Sequence, residues 1–428
     1  MIETLRNAWK IKELRKKLLF TLFILAIYRF GAQVLVPFIN QEALDEFKKQ
    51  FSDGTGLGGT ALGLVNMMSG GAFSSASIFS LSIQPYINAS IIMNLLTVGI
   101  PALERLQKEG GEEGRKKIAA ITRYATVVLG LLLGFGNYVL LRNYGVVDSG
   151  QFIEGLVIVL TLAAGASFIM WLGEQITEFG VGNGISIILF ASIVSRGPDM
   201  VQGVIAMAQL NQWIELVCIF VVILLAVTFV VYITQAERRI PIQYSKRMVG
   251  RKLYGGQSTF LPLKVNMSGV MPIIFASSIV SFPATIASFA ASDPNSNIVS
   301  RFFGPGSWPY AAVYLLLIIA FSYFYQAIQF NPVEIANNLK NNGGFVPGFR
   351  PGKPTSDFIR KVLNRITLFG ALFLGVIAVM PIIMSGVLTV PALAMGGTSL
   401  LIVVGVALET VRAIESQMMM RHYKGFLE

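Results

Sequence analysis

The feature that most constrains this chain is the recurrence of apolar runs about 20 residues long. One of them, 152–172, reads FIEGLVIVLTLAAGASFIMWL. In hydrocarbon every peptide N–H and C=O must find a partner within the protein, so spanning segments are helices or closed barrels. These runs are continuous and do not alternate, which points to helices and away from a barrel. Composition agrees: 13% of the 428 residues are charged and 54% hydrophobic, against about 25% charged in soluble proteins. The sequence predicts an all-α polytopic membrane protein with ten spans. They fall at about 18–38, 75–100, 118–141, 152–172, 185–207, 213–234, 268–291, 310–330, 366–385 and 391–411.

Basic residues orient these spans. With the N-terminus inside, only Lys48, Lys49, Arg142, Arg196 and Arg301 of the 34 Lys and Arg fall in outside loops. Arg29 lies within the first span. Both termini are therefore expected to be cytoplasmic. Five spans in 1–207 and five in 208–428 form two halves, and an odd number inverts the second half relative to the first.

One stretch breaks the pattern. Residues 66–101 read NMMSGGAFSSASIFSLSIQPYINASIIMNLLTVGIP. Gly70 and Gly71 interrupt it, Ser74, Ser75 and Ser77 follow, and Pro85 lies inside the predicted helix 75–100. Such breaks are tolerated where protein or water satisfies the freed backbone groups. The stretch is expected to line something. On a helix, Ser77, Ser80, Gln84 and Asn88 would share a face, with Ile83, Ile87 and Asn94 beside it. Interhelical hydrogen bonds or a water-facing wall would both account for that stripe.

Two long inside loops carry charge. In 235–266, Arg238, Arg239, Lys246, Arg247, Arg251 and Lys252 alternate with apolar residues. This is either a solvated loop on anionic lipid or a docking surface for RNA phosphates or protein carboxylates. In 331–365, GGFVPGFRPGKPT builds a stiff tip that presents Arg350 and Lys353, or an ordinary connector.

Other signals exclude chemistry. Gly180, Gly182 and Gly184 do not follow a strand and are expected to turn the chain into the fifth span. His422 is the only histidine and Cys218 the only cysteine, which excludes a disulfide within the chain and His-based zinc. No catalytic cluster appears, so neither an enzyme nor a cofactor is expected. Mid-membrane carboxylates mark ion-coupled carriers; here Glu174, Glu178 and Glu409 sit near predicted span ends. Arg29 is the deepest charge, and either snorkels or lines a wet cavity. A secondary transporter of a small solute is the alternative function that sequence physics leaves open.

Five segments resemble the SecY family, bacterial branch, in order along essentially the whole chain. They are the stretch from 66, EQITEFGVGNGISIILFASIV, ERRIPIQYSKRMVGRKLYGGQSTFLPLKVNMSGVMPIIFASSI, NPVEIANNLKNNGGFVPGFRPGKPT and GGTSLLIVVGVALE. The resemblance implies the central channel of the Sec translocon in the bacterial plasma membrane, its halves hinged like a clamshell around a central pore. Unfolded secretory proteins would pass through, and apolar segments would leave sideways into lipid.

A plug near 62–72 is implied, with Leu62, Asn66, Met67 and Met68 in it and Gly70 and Gly71 as its hinge. Ile83, Ile87, Ile185, Leu189, Ile274 and Ile402 would form the pore ring, with Pro85 kinking the chain beside it. A lateral gate would run between spans two and three and spans seven and eight, with Asn94 on it. Arg238, Arg239, Lys246, Arg247, Arg251, Lys252 and Arg350 would dock the SecA ATPase or the ribosome. Further implied partners are SecE, SecG, signal-bearing preproteins and membrane lipids.

Overall fold

The computed structural model describes residues 2–52, 61–147, 152–198, 201, 205, 208–209, 211, 213–244, 247–249, 252–254, 258–267, 269–290, 307–388 and 391–424. Helices dominate it. The N-terminus forms α1 (Ile2–Lys10) and α2 (Lys12–Gly31), followed by α3 (Gln41–Ser52) and α4 (Ala61–Met68). Next come α5 (Gln84–Gly99), α6 (Pro101–Lys108), α7 (Gly111–Asn143), α8 (Phe152–Phe179) and α9 (Gly184–Val194). The second half holds α10 (Trp213–Gln235), α11 (Met271–Ala290), α12 (Trp308–Gln329), α13 (Pro332–Asn341), α14 (Lys353–Leu388) and α15 (Pro391–Lys424).

A helix occupies each of the ten positions expected from the apolar runs, but several differ in length. Among the described residues, α7, α8, α14 and the stretch beginning at α12 are long and apolar enough to cross a membrane. A fifth candidate is α5 with α6, bent by 103°. α9, α10 and α11 are apolar as well, over shorter stretches. The first predicted span ends at Gly31 and not near 38, and the fifth ends at Val194 and not near 207. Asn183 starts α9: its side chain accepts from the N–H of Ile185 and Ser186, closing the glycine-rich turn.

The largest correction concerns 75–100. Its helix begins at Gln84, and residues 69–83 run as consecutive turns. Their backbone groups bond elsewhere: Val36 N–H reaches the Ala76 carbonyl at 3.1 Å, and Ile78 N–H reaches Val34 O at 2.9 Å. Ala76 (φ 45°) and Ser82 (φ 50°) adopt left-handed backbone that no helix tolerates. Pro85 therefore does not kink a span; it occupies the first turn of α5, where its missing N–H costs nothing. Ser77 and Ser80 lie off the helix, so the single-face stripe with Gln84 and Asn88 does not exist.

Packing repeats between the halves. α2 packs on α8 as α10 packs on α14, and α7–α8 has its counterpart in α12–α14. The main apolar cluster draws on both halves, from Ile24 to Val406. A second cluster joins α3, α4, α7 and α8 through Phe47, Leu62, Phe73, Leu133 and Ile158.

The two long loops, 235–266 and 331–365, fold together among their described residues. β1 (Glu237–Tyr244) pairs antiparallel with β4 (Ser258–Lys264) and, on its other edge, with β5 (Gly344–Phe345). β2 (Arg247–Val249) and β3 (Lys252–Tyr254) make a separate hairpin. Ile240, Ile242, Leu263, Leu339 and Val346 pack onto Ile359 and Leu363 at the start of α14.

Candidate functional site

Four helices of both halves bring aliphatic side chains to one place. Ile83, at the N-cap of α5, Ile87, Leu189 of α9, Ile274 of α11 and Ile402 of α15 are each at most 2% exposed and share one cluster. Ile185 is less buried and packs against it. Gly173 of α8 faces them: a Cβ there would make ordinary contacts, 3.5 Å from Ile185 and Ile188 and 3.6 Å from Ile83. All six residues assigned to the ring thus belong to, or pack against, one apolar cluster built by both halves. The arrangement can exclude water, since none of these side chains offers a hydrogen bond.

The short helix α4 sits against this cluster. It packs on α9, α11 and α15 at once. Met67 and Met68 line a small cavity with Ser277, Ser281, Tyr310, Ser399 and Ile402, so α4 shares that cavity with a residue of the ring assignment. Leu62 anchors its other end in the second cluster. The turn after α4 is held by hydrogen bonds: the Asn66 carbonyl accepts from Gly71 N–H at 2.9 Å and from Ser69 Oγ at 3.0 Å. Asn66 Oδ1 accepts from Ser74 N–H at 3.0 Å. Gly70 (φ 66°) and Gly71 (φ 86°) both need left-handed backbone, which explains the glycine pair.

Along one side, α5 and α7 of the first half pack against α11 of the second. The side chain of Asn94 on α5 faces that of Tyr325 on α12. Sequence reasoning missed Tyr325, because nothing local couples a tyrosine to an asparagine in the other half.

The basic residues lie apart from this centre. Arg238 and Arg239 are exposed on β1, and Arg239 pairs with Glu237 at 2.6 Å. Arg247 opposes Tyr254 and Lys252 opposes Val249 in the β2–β3 ladder, whereas Lys246 and Arg251 fall outside the described residues. Arg350 is exposed on a tip held by stacking of Phe349 on Phe358 (4.1 Å) and by Thr355 Oγ1 donating to the Arg350 carbonyl at 2.7 Å.

The architecture defines the class: it is that of the solved protein-conducting channels. A structure described as a protein-conducting channel superposes with TM-score 0.63 at 17% identity, covering 94% of this chain and 92% of that one. A SecY structure concerned with a plug domain that stabilises the closed channel gives 0.64 at 16% identity over the same shares. Canine Sec61 from a ribosome–channel complex gives 0.59 at 16%, again over 94% and 92%.

In sequence, the SecY family model matches residues 77–411. The protein translocase subunit SecY of Streptomyces coelicolor is 45% identical over 442 residues, covering all of both chains. That of Thermotoga maritima is 43% identical over 433 residues, covering 100% of this chain and 98% of its own. The chain belongs to the SecY family.

Proposed function

We propose that this chain is the central channel subunit of a protein translocase, passing unfolded polypeptides across the membrane. The observation that carries the reading is the aliphatic cluster contributed by both halves, with α4 set against it. In this reading Ile83, Ile87, Ile185, Leu189, Ile274 and Ile402 form the pore ring, and 62–72 is the plug hinged at Gly70 and Gly71. Aliphatic walls give a passing chain nothing to bond to and close behind it against ions. The 1–207 and 208–428 halves part like a clamshell of ten spans, a division supported by the repeated packing of α2 on α8 and α10 on α14.

The seam of α5 and α7 against α11 and α12 is the lateral gate. Through it an apolar segment gains its transfer free energy in lipid. The exposed Arg238, Arg239 and Arg350, with Lys246, Arg247, Arg251 and Lys252, dock a cytoplasmic partner. Solved relatives of the same fold are described in complexes with ribosomes, and SecA is the other candidate. SecE and SecG complete the assembly in the bacterial plasma membrane, with both termini cytoplasmic. The chain performs no catalysis of its own in this account. The small-solute carrier finds no support beside relatives that are protein translocase subunits.

The test is reconstitution with SecE, SecA, ATP and a signal-bearing preprotein. Protease-protected preprotein inside the vesicles is the expected result; its absence refutes the reading.

A further inference from the structure

Arg29, the deepest charge in the first predicted span, is partly open at the surface, yet its guanidinium is held by two acceptors. Its Nη1 donates to the carbonyl of Gly70 at 3.2 Å and to Ser195 Oγ at 3.2 Å. Ser195 spends its own proton on the Ser192 carbonyl at 2.7 Å, which leaves its oxygen free to accept from Arg29. Next to it the Tyr28 hydroxyl is 2.7 Å from Ser192 Oγ and makes a longer contact, 3.4 Å, to the Ser69 carbonyl. The Tyr28 ring is buried and stacked on Phe79 (5.9 Å, 6°), so the hydroxyl has little freedom.

These contacts converge on the backbone of the turn that joins α4 to the rest of the chain. Gly70 lies so close to α9 that a Cβ would stand 2.8 Å from Ser195 Oγ and 2.9 Å from the Ser192 carbonyl. Three helices, α2, α4 and α9, end here. Each presents its partially negative C-terminus, and Arg29 is the cation placed among them. Guanidinium is suited to the task, since its charge is permanent and its donors diverge.

We infer that Arg29, with Tyr28, Ser192 and Ser195, forms a latch that holds the 69–71 turn against α9 and must release before α4 swings away. The latch grips carbonyls of Ser69 and Gly70, so its hold does not depend on the side chains of the plug. These are positioning residues, and the inference rests on reading α4 as the plug.

The experiment uses the full chain with its translocon partners in proteoliposomes. Amide exchange of residues 61–73 and leak of a small ion are measured for Arg29→Gln, Arg29→Lys and Tyr28→Phe. Arg29→Gln is expected to speed exchange at 69–73 about ten-fold, the worth of one charge-assisted hydrogen bond. Arg29→Lys should recover part of that loss by keeping the charge. Tyr28→Phe, which deletes one oxygen, should raise exchange less, and α8 amides should stay unchanged throughout.

Unchanged exchange at 69–73 in assembled Arg29→Gln and Tyr28→Phe overturns the latch, with or without a rise in leak. If Arg29→Gln does not assemble, Tyr28→Phe decides alone. Faster exchange without any leak leaves the latch standing and overturns the plug reading. Faster exchange with leak supports both.

Discussion

Ile87 shows how one side chain can serve a seal. It is 2% exposed in the cluster shared by both halves. In Ile87→Asn an amide without a partner would be buried there, at a cost of about 1–3 kcal/mol to the closed state. Reconstituted Ile87→Asn channels should therefore leak ions with no preprotein present; a tight vesicle would argue that Ile87 is not part of the seal. Arg350 sits at the other extreme, exposed on a tip fixed by the Phe349–Phe358 stack. Arg350→Glu reverses a charge without touching packing. Membrane insertion of the channel should stay normal while SecA-driven translocation falls severely; unimpaired rates would remove Arg350 from the docking surface. Ile87 became a ring candidate through the family resemblance, and Arg350 a docking candidate through the stiff glycine- and proline-rich tip together with that resemblance. The sequence could not expose Tyr325 or the partners of Arg29. Those depend on which helices become neighbours.

At the scale of elements, helix existence and order were legible, because an apolar run in a membrane has little choice but to be helical. Boundaries were legible only where local chemistry sets them, as Asn183 does for α9. Residues 75–83 defeated the helical reading because Ala76 and Ile78 bond to the backbone of Val36 and Val34, a tertiary override that periodicity does not report. The joining of the two long loops was likewise hidden, since β5 is two residues long. That joining is testable. Leu263 is wholly buried where β4 meets α14, so Leu263→Ala should destabilise the β1–β4–β5 module by about 2–5 kcal/mol. Limited proteolysis should then cut both loops together, with helical content unchanged. Cleavage confined to 235–266 would mean that the loops are independent.

For the whole molecule, the seam between halves matters most, and Asn94 faces Tyr325 across it. Tyr325→Phe removes the hydroxyl and keeps the ring; if a hydrogen bond between the two holds the seam, its loss weakens closure by about 1 kcal/mol. Less apolar signal segments should then enter lipid, read as a lower leucine content needed for half-insertion in a graded series. An unmoved threshold would show that the bond does not hold the seam. One further consequence lies in α14. Its 36 residues form a rod about 54 Å long, against a hydrocarbon core of about 30 Å. One end is anchored in the β1–β4–β5 module through Ile359 and Leu363, and the remainder packs along α12 and α15. Such a rod is a lever. A partner that rocked the module would apply torque directly to the second half of the bundle, so mechanical work would travel along the rod without chemistry in between.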